Sequence, residues 1–156
     1  MDITTKILVF SDSHGEVDKM ADMVKKHTPD FIIHLGDYNK DAEILSKRFP
    51  HIPLHAVRGN CDMLSKAPDL EELKIRDKRI FLTHGHRYRV KETYDALCNM
   101  GHCAGADLLL FGHTHIPYYK QTDNMHILNP GSAQEVCALV EIDSEGKITC
   151  THLPFV

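Results

Sequence analysis

Three short apolar runs punctuate the first third of the chain: KILVFS at 6–11, FIIHLG at 31–36 and IPLHAVR at 52–58. Each is too short for a helix and is bounded by turn residues, so each reads as a buried strand. Between the first two, Val17, Met20, Ala21 and Val24 fall at i, i+3, i+4 and i+7. That spacing predicts an amphipathic helix over 16–27, closed by Pro29. A shorter helix over 41–48 ends before Pro50. Strands alternating with helices in this way demand a parallel sheet with crossover connections.

The second half has a different grain. Residues 72–85 predict two strands joined by a polar turn at Arg76–Lys78, and 91–103 a helix. ADLLLFG at 106–112 is a strand, 116–131 a hairpin turning at Thr122–Asn124, and 136–153 a hairpin around Ser144–Gly146. With no internal repeat or linker, the 156 residues are expected to form one α/β domain, 1–156, with added antiparallel strands.

The chemistry sits just past the ends of these strands. ILVF leads into Ser11-Asp12-Ser13-His14-Gly15, and FIIHL into Gly36-Asp37. LHAV leads into Arg58-Gly59-Asn60-Cys61-Asp62, RIFLT into His84-Gly85-His86, and DLLLF into Gly112-His113-Thr114-His115. In open α/β sheets, ligands bind beyond the carboxyl ends of the strands. Five such ends bring Asp12, His14, Asp37, Asn60, His84, His113 and His115 toward one crevice. Any one alone reads as an ordinary polar turn; the fivefold coincidence does not. His113 and His115 are expected at a strand tip, alternate side chains aimed into the same cleft. Carboxylates, imidazoles and an amide, without a thiolate, suit manganese, iron, zinc, nickel or cobalt. Seven side-chain donors exceed one tetrahedral ion and match two ions completed by water. A bridging carboxylate would hold such ions ~3.5–4 Å apart.

Composition narrows the alternatives. A net charge of −4 gives no reason to expect long nucleic acid or an anionic membrane as a partner. The N-terminal apolar run is too short for a signal peptide or a membrane span. Five cysteines without a CxxC pair argue against a disulfide framework or a thiolate zinc site, and fit a reducing, cytoplasmic setting. Cys98, His102 and Cys103 read as helix packing rather than a separate metal site. His34, inside a strand, reads as packed behind the ligands. Arg58 is either a phosphate contact or an exposed charge.

Asp12-x-His14, Gly36-Asp37, Gly59-Asn60, His84-Gly-His86 and Gly112-His113-x-His115, taken in order, resemble the calcineurin-like metallophosphoesterases. The forms GNCD, THGH, GHTH and NPGS are similar to the small bacterial and archaeal phosphodiesterases of that family, over residues 6–132. The resemblance implies a two-sheet β-sandwich flanked by helices, a four-layer αββα arrangement. It implies that Asp12, His14 and His115 hold one ion, that Asn60, His84 and His113 hold a second, and that Asp37 bridges them. A hydroxide between the ions would be the nucleophile toward a small phosphodiester, with some monoesters also open. Two divalent ions, two carboxylates and that hydroxide leave a net positive site, suited to a phosphodiester anion. The implied catalytic set is Asp37, Asn60 and His86, with Arg58, Cys61 and His86 toward substrate. Manganese is the first expectation for the metal.

One position departs from the pattern. Larger relatives often carry a histidine after Gly-Asn, where this chain has Cys61. A thiol is a weak donor and a poor replacement for a protonated imidazole. That implies a preference for good leaving groups, with His86 the candidate substitute. The rival expectation is an interaction protein on the same fold, as the family supplies to a membrane-trafficking coat. A homodimer or higher homo-oligomer, paired through exposed C-terminal strands, stays open.

Overall fold

The computed structural model describes residues 3–155. Its elements run β1 (Thr5–Phe10), α1 (Val17–His27), β2 (Phe31–His34), α2 (Asn39–Arg48), β3 (Leu54–Ala56), β4 (Leu70–Ile75), β5 (Lys78–Thr83), α3 (Asp95–Ala104), β6 (Leu108–Leu110), β7 (Tyr118–Thr122), β8 (Met125–Asn129), β9 (Val136–Ile142) and β10 (Ile148–Pro154). β1, β2 and β3 pair in parallel, and the crossovers are α1 and α2. The β9–β10 hairpin adds antiparallel to β1, giving a sheet ordered β10-β9-β1-β2-β3. The second sheet is ordered β4-β5-β6-β8-β7, with β5, β6 and β8 parallel and a hairpin at each edge.

Side-chain alternation stacks these sheets. Ile7 and Val9 on β1, Ile33 on β2, and Ala138 and Val140 on β9 face Ile80 and Leu82 on β5 and Leu108 and Leu110 on β6, in a core between the sheets. The intervening Leu8 and Phe10 turn outward onto Met20, Ala21 and Val24 of α1 and Leu45 of α2. Phe81, Leu109 and Ile127 turn outward on the other side, onto Leu97 of α3. Three apolar interfaces therefore separate four layers, helix, sheet, sheet and helix. Each large side chain buried this way contributes about 1.5–3 kcal/mol relative to exposure. Both faces of each central strand are covered, which is why the runs are continuously apolar.

Helix ends follow local chemistry. α1 stops where Thr28 enters the left-handed region at φ 44°, its N–H closing on the Val24 carbonyl at 2.9 Å, and Pro29 prevents continuation. The helix expected over 91–103 begins only at Asp95. A 3₁₀ turn at His86–Tyr88, a left-handed Arg89 and the Thr93 hydroxyl accepting the Asp95 N–H at 3.2 Å occupy the preceding segment. The strand expected over 106–112 is shorter, Leu108–Leu110, so His113 and His115 stand in a loop beyond it. Cys98 packs beside the α3 core cluster, while His102 and Cys103 are exposed. No helix among the described residues is long and apolar enough to cross a membrane.

Candidate metal centre

The five strand-end loops converge. Five of the seven expected ligands have left-handed backbone: Asp12 (φ 52°), His14 (46°), Asp37 (58°), His113 (71°) and His115 (64°). Aspartate and histidine visit this region more often than most side chains, and such strain clusters at functional sites. His113 and His115 thus reach one cleft by turning the chain twice, not by strand alternation. Two glycines allow the loops to approach. A Cβ on Gly59 would fall on the Asp37 carboxylate, and one on Gly112 would fall on the Ser11 hydroxyl.

Asp12 is fully buried and asymmetrically used. Its Oδ2 accepts the Ser11 hydroxyl at 2.5 Å and the His113 N–H at 3.1 Å. Its Oδ1 has no hydrogen-bond partner, and neither has the buried Nε2 of His14. His115 Nε2 stands 3.2 Å from Asp12 Oδ1. Asp12, His14 and His115 offer donor atoms all within 4.8 Å of one another.

The second cluster centres on His84. Its Nδ1–H donates to the Leu35 carbonyl at 2.8 Å, which turns Nε2 and its lone pair into the cleft. Asn60 Oδ1 lies 3.1 Å from that Nε2, His113 Nδ1 3.2 Å and Asp37 Oδ2 3.5 Å. With Nε2 unprotonated these are lone pairs facing lone pairs, an arrangement relieved by a bound cation or, failing one, by a proton on His84. Bonds of ~2.0–2.2 Å to a common ion put neighbouring donor atoms about 3.0–3.5 Å apart, as found here. Asp12 belongs to both groups, 3.8 Å from His84 Nε2 and 3.2 Å from His115 Nε2, while Asp37 joins it in the second. The donor set and its spacing fit divalent ions.

The charges of the cluster are coupled. Burial works against the Asp37 charge, but hydrogen bonds from His84 and the Cys61 N–H outweigh it and hold the carboxyl far below its usual range. Burial likewise lowers His84, yet the Asp37 hydrogen bond and the Asp12 charge reverse this and raise it. Burial, then the charges of His84 and Lys91, push His113 down to about 4. His113 is therefore neutral, a ligand's protonation state, across the physiological range.

The remaining expected residues lie at the rim. The His86 ring is 5.4 Å from His84 and 6.1 Å from His113, its buried Nδ1 unpartnered and its pKa lowered by burial and the neighbouring cations. Cys61 is exposed, its N–H on Asp37 Oδ1 at 2.9 Å, its thiol pushed up by burial and by Asp37. Arg58 is half-buried against Asp69 at 3.3 Å, and Asp69 also takes Arg87 at 3.2 Å.

Two supporting devices carry little sequence signal. His34 Nε2–H donates to Ser13 Oγ at 2.9 Å, and Ser13 donates to Asp41 at 2.7 Å. The Gly36 N–H donates to His34 Nδ1 at 3.2 Å, and the Gly15 N–H to Asp41 at 2.7 Å. This buried chain fixes the loops carrying Asp12, His14 and Asp37. The NPGS segment ties down the other side. Asn129 donates to the Gly112 carbonyl at 3.1 Å and to Thr114 Oγ1 at 3.0 Å, and Ser132 donates to the Asp12 carbonyl at 2.8 Å.

Comparison with known proteins places this geometry. Residues 5–145 match the calcineurin-like phosphoesterase superfamily domain. A protein of Mycoplasma pneumoniae named "Probable metallophosphoesterase" is 31% identical over 133 residues, covering 83% of this chain and 80% of its own. Phosphodiesterase YfcE of Escherichia coli is 28% identical over 153 residues, covering 81% and 78%. The crystal structure of Entamoeba histolytica Vps29 complexed with zinc superimposes with a TM-score of 0.73 at 22% identity, over 97% of this chain and all of that one. Sequence and fold together show that the chain belongs to the calcineurin-like phosphoesterase superfamily.

Proposed function

We propose that the protein hydrolyses small phosphodiesters, with two divalent ions held by Asp12, His14 and His115 and by Asn60, His84 and His113, all within one domain spanning 1–156. The observation that carries this reading is the set of cleft-facing donor atoms 3.1–3.5 Å from His84 Nε2, together with the unpartnered Oδ1 of Asp12 and Nε2 of His14. Asp37 would bridge the two ions, and Asp12, which falls in both donor groups, would stand beside it. When bound, the ions would supply an acidified water as nucleophile and offset the charge of the phosphoryl oxygens. The chain's residues then do the rest. The Leu35 carbonyl fixes the His84 tautomer, and the Ser13–His34–Asp41 chain holds the Asp12 and His14 loop. Burial and the neighbouring cations lower the His86 pKa, so it would meet the leaving oxygen less as an imidazolium than an ordinary histidine does, and burial and Asp37 raise that of the Cys61 thiol. Neither is a strong acid, so the leaving group must depart as a weakly basic aryloxide. Manganese is the first metal to try, and a reducing cytoplasm suits the five free cysteines.

A second reading comes from the likeness to Vps29 together with Met63 and Leu64, 84% and 98% exposed beside Cys61. An interaction protein of the same fold would bind ions and hydrolyse nothing. One experiment separates the two: metal-stripped protein, with and without added manganese, acting on aryl and alkyl phosphodiesters. Restored turnover of the aryl ester, much faster than the alkyl, is the expected result. His113→Ala should lower it by at least ~100-fold, since even a lost outer-shell partner costs 10–100-fold. Equal alkyl and aryl rates would overturn the leaving-group assignment. Two bound ions without hydrolysis would favour the interaction protein.

A further inference from the structure

A cavity of about 470 Å³ opens directly beside the ligand loop, lined by Val90, Lys91 and Tyr94 on one side and by Thr114 and Ile116 on the other. We infer that this cavity binds the ester substituent that stays on phosphorus, and that it selects a ring-bearing group with an anionic end. The inference rests on the proposed hydrolysis and deepens it to a substrate class.

Contiguity is the first argument. Thr114 lies between the ligands His113 and His115, and Ile116 comes immediately after, so the cavity wall and the metal centre share one loop. That wall is fixed: Thr114 Oγ1 accepts Asn129 Nδ2 at 3.0 Å and the Ile116 N–H at 3.1 Å. The facing wall is fixed too. The Tyr94 ring packs edge-on against Phe111 at 5.1 Å and Tyr118 at 4.7 Å. A volume of this size suits a small ring and its substituents.

Chemistry is the second argument. Val90, Tyr94 and Ile116 give the cavity an apolar and aromatic lining, and Ile116 is 61% exposed. Among the described residues, Lys91 has no ion pair or hydrogen bond. Glu92 also lines the cavity, but its carboxylate is paired with Arg89 at 2.7 Å, which leaves the Lys91 charge unmatched. An unpaired ammonium at the mouth of an apolar cavity favours a carboxylate or second phosphate at the end of a ring. The other substituent, the departing group, belongs at the rim formed by His86 and Cys61.

The test uses the manganese-loaded protein and three diesters sharing a 4-nitrophenolate leaving group, with methyl, phenyl or 4-carboxyphenyl as the staying group. In parallel, calorimetry measures the binding of methylphosphonate, phenylphosphonate and 4-carboxyphenylphosphonate, whose P–C bonds do not hydrolyse. Both kcat/KM and affinity are expected to rise from methyl to phenyl to carboxyphenyl. Ile116→Ser should lower the phenyl-to-methyl ratio about fivefold. Lys91→Met should lower the carboxyphenyl-to-phenyl ratio by about the same factor. Both side chains are exposed, so the variants are expected to fold. Ratios unmoved by either substitution, in both readouts, would overturn the inference and leave the hydrolase reading standing. Ring- and charge-dependent phosphonate binding without hydrolysis of any diester would support the cavity's role and overturn the hydrolase reading.

Discussion

Fully buried within the first sheet, His34 stays neutral because water cannot reach it, and burial pushes it from 6.5 down to about 4. It donates to Ser13 and accepts from Gly36, which uses both nitrogens of the neutral ring. Protonation would break the Gly36 contact and place a charge in the core. The unfolded chain therefore binds this proton more readily than the folded one. Stability is present in full above about pH 6.5 and falls as pH drops toward 4, by roughly 3 kcal/mol from this group. Urea unfolding of the metal-free protein at pH 7 and pH 4.5 measures it. His34→Gln, which keeps a donor for Ser13, should flatten that interval while lowering stability at pH 7. An unchanged slope in the variant would show that the loss comes from other groups. At this scale the convergence of the seven candidate ligands was legible in the sequence, because each lies just past an apolar run. The His34–Ser13–Asp41 chain was not, because hydrogen bonds across 21 and 28 positions leave no local pattern.

Each strand-end loop is as important as the strand before it. β1 and β6 belong to different sheets, yet their loops touch: a Cβ added to Gly112 would fall on Ser11 Oγ and lie 2.9 Å from Asp12 Oδ2. Ser11 and Asp12 are buried and have nowhere to retreat. Gly112→Ala should therefore displace the Asp12 carboxylate, weaken metal affinity by about 10–100-fold and leave the circular-dichroism spectrum intact. Ser11→Gly in the same chain removes two of the three obstructing atoms, Ser11 Oγ and Cβ, and should recover part of the loss. Failure of that rescue would place the defect elsewhere. The order and type of the strands were readable from apolar runs, and both C-terminal hairpins from their turn residues. What misled was the ligand loop after β6. Its apolar prelude suggested a strand continuing to 112, whereas left-handed turns at His113 and His115 do the aiming. Backbone strain of that kind is held by tertiary contacts, here Asn129 and Asp12, and has no signature in the loop itself.

At the scale of the molecule, the candidate metal centre would act as a clasp between the two sheets. Asp12, His14, Asp37 and Asn60 come after β1, β2 and β3 of one sheet, while His84, His113 and His115 come after β5 and β6 of the other. Sequence periodicity could not show this, because central strands covered on both faces do not reveal which face meets the other sheet. The consequence is thermodynamic. Ions that bind only when both sheets are in place stabilise the fold by mass action, about 2.7 kcal/mol per ion at a hundredfold excess over its Kd. For a chain of this length, two such ions should raise Tm by roughly 10–20 °C. Thermal melts of chelator-treated protein across a manganese titration read this directly. The wild-type Tm should climb with the logarithm of metal concentration, and chelator should return it to the starting value. Asp12→Ala removes the carboxylate common to both donor groups and should abolish the climb, whereas His115→Ala should leave about half of it. A flat Tm in the wild type, with two ions bound by calorimetry at the same concentrations, would mean that the ions bind without joining the sheets. The clasp would then be only an arrangement of loops.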